Sequence, residues 1–309
     1  MLITVVGAGI IGLTAALRLR EAGHEVTIRS ERPPEESTSS LAAALWLPYL
    51  VEPEQEALRW SSTGLDVLRE LSADPATGVR LRKGREWYRQ KVDDPFWMPI
   101  TGDARHVDEP SLPEGYADGI ELTAPLVDMS LHLPWLVGRL TRSGVEIRRE
   151  RVDDLSAVDG DVVVNCTGLG ARRLCDDRSM TPIRGQVVLV EQCGVDEWFA
   201  DNDDEQHASY VIPRVNTVVC GGTALPGVED TEPDPSEADR ILREAAELEP
   251  KIRDARVVRH VVGLRPGRTE VRFALEGRVL HCYGHGGGGV TLAYGCAAEI
   301  ASMLSAQSP

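Results

Sequence analysis

Two glycine-rich segments have the residue types and spacing from which chemistry can be read. Near the start stands Gly7-Ala8-Gly9-Ile10-Ile11-Gly12. In such a motif the first glycine permits a tight turn and the second lets the backbone approach a pyrophosphate. The third lets a helix pack closely on the preceding strand. The helix N-terminus then offers free amides and a partial positive charge to phosphates. Glu31 follows at about the 20-residue distance the fingerprint requires, placed to accept hydrogen bonds from both ribose hydroxyls. Arg32 beside it leaves a 2'-phosphate open. Near the other end, His281-Cys282-Tyr283-Gly284-His285 runs into four consecutive glycines, Gly286 to Gly289, and then Val290-Thr291. Such a run costs backbone entropy, so it makes sense where the main chain takes unusual angles or touches a ligand closely. His281 and His285 have metal-ligand spacing only if helical; on a strand and a glycine turn they read as packing residues, and no metal site is expected.

These segments need a scaffold. A strand at Leu2–Val6, a glycine turn, a helix over 10–22 and a strand over 24–30 make a βαβ unit. Loop chemistry fills 31–40, where Pro33-Pro34 and a Ser/Thr cluster compete with regular structure. A helix is expected over 54–71 with Pro53 at its first position. Another, over 130–143, leads into strands at 145–149 and 161–165. Strands are also expected at 185–191, 209–214, 217–223, 257–264, 271–275 and 278–283. Ser236 would cap a helix reaching about 248, with Asp239 at the capping-box position. A closing helix is expected over 291–304.

The fold class that follows is α/β: a Rossmann-like domain with a parallel sheet, plus a second, β-rich α+β substrate domain. The first would comprise 1–50, 130–184 and 260–309, with the helix over 53–71 packed on it, and the second 72–129 and 185–259. The chain has 309 residues, enough for two such units. Its formal charge of -16 repels phosphate backbones and anionic lipid, which argues against nucleic-acid or membrane partners. Six cysteines without a CxxC pair fit buried free thiols in a reducing, cytoplasmic compartment. The apolar segment 2–17 lacks a basic flank and is broken by glycines, unlike a signal peptide, and Gln307-Ser308-Pro309 is no peroxisomal address.

An adenine dinucleotide is common to NAD and FAD. A motif at the extreme N-terminus, a return strand ending in Asn165-Cys166-Thr167-Gly168 and a late glycine cluster suit a flavin laid across the sheet. The helix after that cluster would aim its dipole at the flavin pyrimidine ring, which gains negative charge on reduction. A specific resemblance then appears. Tyr283-Gly284-His285-Gly286-Gly287, continuing to Gly295-Cys296-Ala297, resembles the C-terminal signature of the D-amino-acid oxidase and D-aspartate oxidase family. Gly263-Leu264-Arg265-Pro266, Tyr210-Val211-Ile212-Pro213, Val164-Asn165-Cys166-Thr167-Gly168, Arg184-Gly185-Gln186 and the segment Ala42 to Tyr49 match it as well, in order and over nearly the whole length.

The resemblance implies an FAD-dependent oxidase that takes a D-amino acid and O2. Hydride passes from Cα to flavin N5, the imino acid hydrolyses to a 2-oxo acid and ammonia, and hydrogen peroxide is released. It puts Arg265 and Tyr210 on the substrate carboxylate and the Gly287 carbonyl on the amine. A planar guanidinium suits the first role, since it grips a carboxylate in one orientation. It also implies FAD contacts at Ser37, Thr38, Ala43, Ala44, Leu45, Val152 and Thr167, and along Gly286, Gly287, Gly288, Gly289, Val290 and Thr291. No catalytic acid or base is required.

Three departures bear on specificity. The stretch 201–209 is too short for a full lid and puts Gln206 where the family brings a second tyrosine. Gly288 replaces an aromatic residue and Leu47 a polar one, which predicts an open, apolar pocket. Ala224 stands where D-aspartate oxidases carry an arginine, favouring neutral substrates, while Arg214 keeps acidic ones open. A glycine or sarcosine oxidase is the nearest alternative, and assembly as a homodimer is left open.

Overall fold

The computed structural model describes residues 1–48 and 51–306. In chain order the first elements are β1 (Leu2–Val6), α1 (Ile10–Glu21), β2 (Glu25–Ser30), α2 (Glu54–Leu71), β3 (Val79–Tyr88), α3 (Met98–Thr101), β4 (Arg105–His106) and β5 (Asp118–Val127). Then come α4 (Met129–Arg142), β6 (Glu146–Arg149), β7 (Val162–Asn165), α5 (Ala171–Leu174), β8 (Thr181–Glu191), β9 (Trp198–Asp201), β10 (Ser209–Pro213) and β11 (Thr217–Gly221). The last are β12 (Leu225–Pro226), α6 (Pro235–Leu248), β13 (Val257–Gly267), β14 (Arg272–Glu276), β15 (Val279–Tyr283) and α7 (Gly289–Ser305).

They form two sheets. The first has the order β14-β15-β7-β1-β2-β6, parallel except for β14. Its central strand, β1, is buried on both faces and reads Ile3-Thr4-Val5-Val6, the continuous apolar run that a parallel strand between helices requires. The second sheet has the order β12-β8-β11-β10-β9-β3-β5-β4, with β13 pairing β8 along its length. The α/β reading with a second, β-rich unit therefore stands.

One boundary differs. β13 lies in the second sheet, so the chain returns to the first only after Gly267 and not at 260. Likewise 181–184 already belong to β8. Alternation within a strand identifies the strand but not its partner, which is why the sequence set these limits a few residues off.

α2 packs on the first unit, as expected, through two glycine contacts. A Cβ on Gly64 would lie 2.5 Å from the Thr291 carbonyl oxygen, and one on Gly295 would lie 2.2 Å from the Trp60 carbonyl oxygen. Helix ends differ modestly. Pro53 is the N-cap of α2 rather than its first residue. α6 is capped by Asp234, whose carboxylate accepts from the Ser236 amide at 2.8 Å, with Pro235 taking the first helical position. Ser236 is thus inside the helix. Among the described residues no helix is long and apolar enough to cross a membrane, and none of the six cysteines is disulfide-bonded.

His132 of α4 ties three elements together. Its Nδ1 donates to the Thr77 carbonyl at 2.7 Å and its Nε2 accepts from the Tyr294 hydroxyl at 2.9 Å. Burial lowers its pKa from 6.5 to about 4. Between those values the unfolded chain binds a proton that the folded chain refuses, so stability is full above pH 6.5 and falls as the pH drops toward 4. The loss from this group amounts to roughly 3 kcal/mol. Melting temperatures across that range should fall steeply for the native chain and less steeply for His132→Gln; equal slopes would assign the acid sensitivity elsewhere.

Candidate active site

The first glycine turn has the geometry that its sequence predicts. Gly7 sits at φ +111, and a Cβ there would lie 2.4 Å from the Cys166 carbonyl oxygen. One on Gly12 would lie 2.0 Å from the Gly7 carbonyl oxygen. Both glycines are therefore obligatory for the crossing of β1, α1 and the end of β7. Ala8 and Ile10 are buried beside the turn, Ile11 is half-buried, and no acidic side chain occupies the first turn of α1. Ser39, which the sequence reading passed over, stands over this end: its hydroxyl accepts from the Ile10 amide at 3.0 Å and would lie 3.1 Å from a Gly9 Cβ. The Ser/Thr cluster was the available signal, but spacing alone could not choose among four consecutive hydroxyl residues. Ser37 and Thr38 instead bond protein carbonyls, those of Pro34 and Leu264.

At the end of β2, Glu31 is exposed and pairs with Arg151 at 3.3 Å, with Arg32 exposed beside it. Val152 is buried with Val6, Leu155 and Val163, and its carbonyl accepts from Arg173. Thr167 closes β7 by donating its hydroxyl to Asn165 at 2.7 Å. The segment 42–47 crosses from this unit to the second: the Ala44 carbonyl accepts from the Val127 amide, and Leu45 bridges Leu126. Ala44 takes φ +62, a left-handed conformation that a non-glycine residue adopts only when its surroundings enforce it. Ala43 is half-buried on the same crossing. Tyr49, last of that motif, lies outside the described residues.

The second glycine turn lies against the end of β13. The Gly286 amide donates to the Pro266 carbonyl at 2.9 Å, which fixes the turn beside Arg265. Arg265 Cδ would lie 3.9 Å from a Gly287 Cβ, and above Gly286 nothing of the protein lies within 4 Å. Among the described residues no hydrogen bond reaches the Gly287 carbonyl. α7 begins at Gly289, two residues earlier than expected, with Gly288 as N-cap and no side chain on its amides. Val290 and Thr291 are buried in its first turn, and Thr291 exchanges hydrogen bonds with the Leu47 backbone.

Arg265 is held from three sides. Its Nη1 donates to the Thr223 carbonyl at 2.8 Å, and its guanidinium lies on Gly185, where any Cβ would fall 2.4 Å from Nη1. Its charge also acts on the neighbouring Tyr210 phenol. The Tyr210 ring rests on Gly221, leaving no room for a Cβ there. Burial raises the Tyr210 pKa, so its phenol stays a donor. Arg265 and Tyr210 thus lie together beside the turn that carries Gly287, a cation and a phenol able to hold a carboxylate but not to act as acid or base. The glycine turn is also braced from behind. Asp177 accepts from the Tyr283 hydroxyl at 2.8 Å and from Arg268 Nε at 3.1 Å, and Arg268 packs on Gly284. Burial would raise the Asp177 pKa, but these bonds and those from Ser179 hold it well below the carboxylate range.

The loop after β9 is tied down, the Gln206 and Ala208 carbonyls accepting from the Ala224 and Gly222 amides. Gly288, however, does not open the pocket: Val51 fills the room an aromatic residue would need, 2.5 Å from a Cβ at that position. His281 and His285 do not share a site, since His281 Nδ1 faces Asn165 at 3.2 Å while His285 Nε2 faces two thiols.

The glycine turn at the start of α1, the open face above Gly286 and the free Gly287 carbonyl fit an adenine dinucleotide that ends in a flat ring. The comparisons agree. The family model described as FAD dependent oxidoreductase matches residues 3–303. The chain is 44% identical to a D-amino-acid oxidase of Rubrobacter xylanophilus, covering 98% of this chain and 95% of that one. It is 43% identical to a D-amino-acid oxidase of Streptomyces coelicolor, covering 98% and 96%. Among solved structures, glycine oxidase from Geobacillus kaustophilus superposes with a TM-score of 0.80 at 20% identity, covering 99% and 95%. From turn to turn, then, this chain belongs to the D-amino-acid oxidase family of FAD-dependent oxidoreductases.

Proposed function

We propose that the protein oxidatively deaminates neutral D-amino acids to 2-oxo acids, with Arg265 and Tyr210 holding the carboxylate and the Gly287 carbonyl accepting from the amine. The reading is supported by the position of Arg265 beside both Tyr210 and the Gly287 turn, which the Pro266–Gly286 hydrogen bond fixes. FAD, when bound, supplies the two-electron acceptor: hydride leaves Cα, and O2 carries the electrons off as hydrogen peroxide. The protein's own work is orientation. Two anchors on the carboxylate and one on the amine fix which face of Cα is presented, so one enantiomer is selected. A buried carboxylate also needs the cation, because desolvating it unpaired would be prohibitive. With the amine bound neutral, its nitrogen lone pair assists hydride loss and no protein base is needed. Water then hydrolyses the imino acid product to 2-oxo acid and ammonia.

For the cofactor, we assign the pyrophosphate to the turn Gly7–Gly12, the ribose to Glu31 and the ring to the segments 43–45 and 286–291. The hydroxyls of Ser37 and Thr38 would have to exchange their present carbonyl partners to reach phosphates; Ser39 is the better placed.

A panel of substrates with peroxide detection tests the reading. D-alanine and D-valine should turn over and their L-enantiomers should not. If all D-amino acids are inert while sarcosine or glycine reacts, the amine-oxidase alternative replaces it. Tyr210→Phe should raise the KM for D-alanine about tenfold, the loss of one hydrogen bond to a charged group, with kcat little changed. An unchanged KM would remove Tyr210 from the carboxylate site.

One observation favours acidic substrates. Arg214 lies on the same face of β10 as Tyr210 and Ile212, and its buried Nε has no partner, while Nη2 donates to the Ala42 carbonyl. Asp128 lies in the same small cleft and offsets its charge. A kcat/KM for D-aspartate above that for D-alanine, abolished in Arg214→Leu, would shift the assignment to acidic D-amino acids.

A further inference from the structure

Behind the second glycine turn lies a buried cluster that the oxidase reaction does not use. Cys282 closes β15, His285 begins the turn and Cys296 sits in α7. Cys282 and Cys296 are fully buried and His285 is 3% exposed. His285 Nε2 lies 3.8 Å from Cys282 Sγ and 3.6 Å from Cys296 Sγ, and the three donor atoms all lie within 4.8 Å of one another.

From this cluster we propose a metal site in which Cys282, His285 and Cys296 bind one zinc-type d10 ion. Spacing supports it. With Zn–S near 2.3 Å and Zn–N near 2.0–2.1 Å, tetrahedral geometry separates sulfur and nitrogen donors by about 3.6 Å. The two sulfur–nitrogen distances match that value without rearrangement. The donor chemistry also agrees, because thiolate and imidazole together select zinc and similarly soft ions over magnesium or calcium.

Charge decides how the site would load. An isolated thiolate in this buried cluster is costly. A divalent ion with two thiolates and a neutral imidazole carries no net charge. Binding therefore releases two protons to solvent, one from each of Cys282 and Cys296. Entry is open where Gly286 and Gly287 are solvent-accessible and nothing of the protein lies within 4 Å above Gly286. An ion at this point would join β15, the glycine turn and α7. It would leave the Arg265 side of the turn untouched.

The test uses the purified holoenzyme, loaded separately with Zn2+ and Cd2+ and then desalted. Expected are one retained ion per chain and, for cadmium, an ultraviolet thiolate-to-metal charge-transfer band. Both should be lost in Cys282→Ser and in Cys296→Ser, with flavin absorbance and circular dichroism reporting whether those variants are folded. Cys193→Ser, in the second sheet's satellite core, should keep both. If a serine variant does not fold, the native chain still decides, both as holoenzyme and after flavin removal opens the turn. No retained ion in either form overturns the proposal, and so does a band that survives Cys282→Ser, which would mean binding by surface groups.

Discussion

Replacing Arg265 with alanine should raise the KM for D-alanine by about two to three orders of magnitude while the purified protein stays yellow. The magnitude follows from what the truncation leaves behind. Removing one member of a buried, hydrogen-bonded charge pair costs about 2–5 kcal/mol, because the surviving carboxylate is left desolvated without a partner. The scaffold tolerates the change. Arg265 spends one Nη1 bond on the Thr223 carbonyl and otherwise lies on glycine at 185, so alanine leaves a water-accessible gap and not a collapsed core. Flavin retention is expected because no cofactor assignment rests on this guanidinium. Arg265→Lys should recover only part of the affinity, since a point charge cannot grip both carboxylate oxygens and also keep the Tyr210 contact. Steady-state kinetics beside an absorption spectrum make the check. A colourless variant whose reconstituted form has native KM would move Arg265 into the cofactor site.

Gly12→Ala should give the opposite pattern, a folded but colourless protein whose FAD affinity falls by up to about a hundredfold. A Cβ at this position would lie 2.0 Å from the Gly7 carbonyl oxygen, a backbone atom that cannot swing aside. α1 must therefore lift off β1, and with it the amides that face the phosphates. Overpacking of this kind costs about 1–3 kcal/mol, occasionally more, and the loss falls on the geometry of the turn. Gly9→Ala offers the contrast, because its Cβ would meet only the Ser39 hydroxyl at 3.1 Å, which can rotate away. FAD titration by fluorescence quenching measures both. Equal losses at 9 and 12 would contradict a steric origin.

What the sequence made legible was local or collinear. The βαβ opening, the second glycine turn and the helix after it follow from spacing, and the ordered family motifs pointed to Arg265 and Tyr210. What escaped it depends on contacts between distant residues. Whether 260–267 pairs with β8 or with β14 is a question of partner, and both would read as the same alternating strand. The cap of α6 went to Asp234 because Pro235 claims the first helical position, a competition that Ser236 and Asp239 alone did not reveal. Gly288 promised space, yet Val51 fills it from a segment more than two hundred residues away in sequence. The Asp177–Arg268 brace and the ring of thiols around His285 likewise join residues whose separations carry no periodic signal.

The same convergence that explains the fold of the site also exposes it to a direct trial. An unreactive carboxylate such as benzoate, titrated into the holoenzyme, should perturb the flavin absorption bands, because the cation that binds it lies beside the turn assigned to the ring. In Arg265→Ala the perturbation should vanish at the same concentrations while the unliganded spectrum is unchanged. A full spectral response in that variant would show that carboxylates reach the flavin without Arg265.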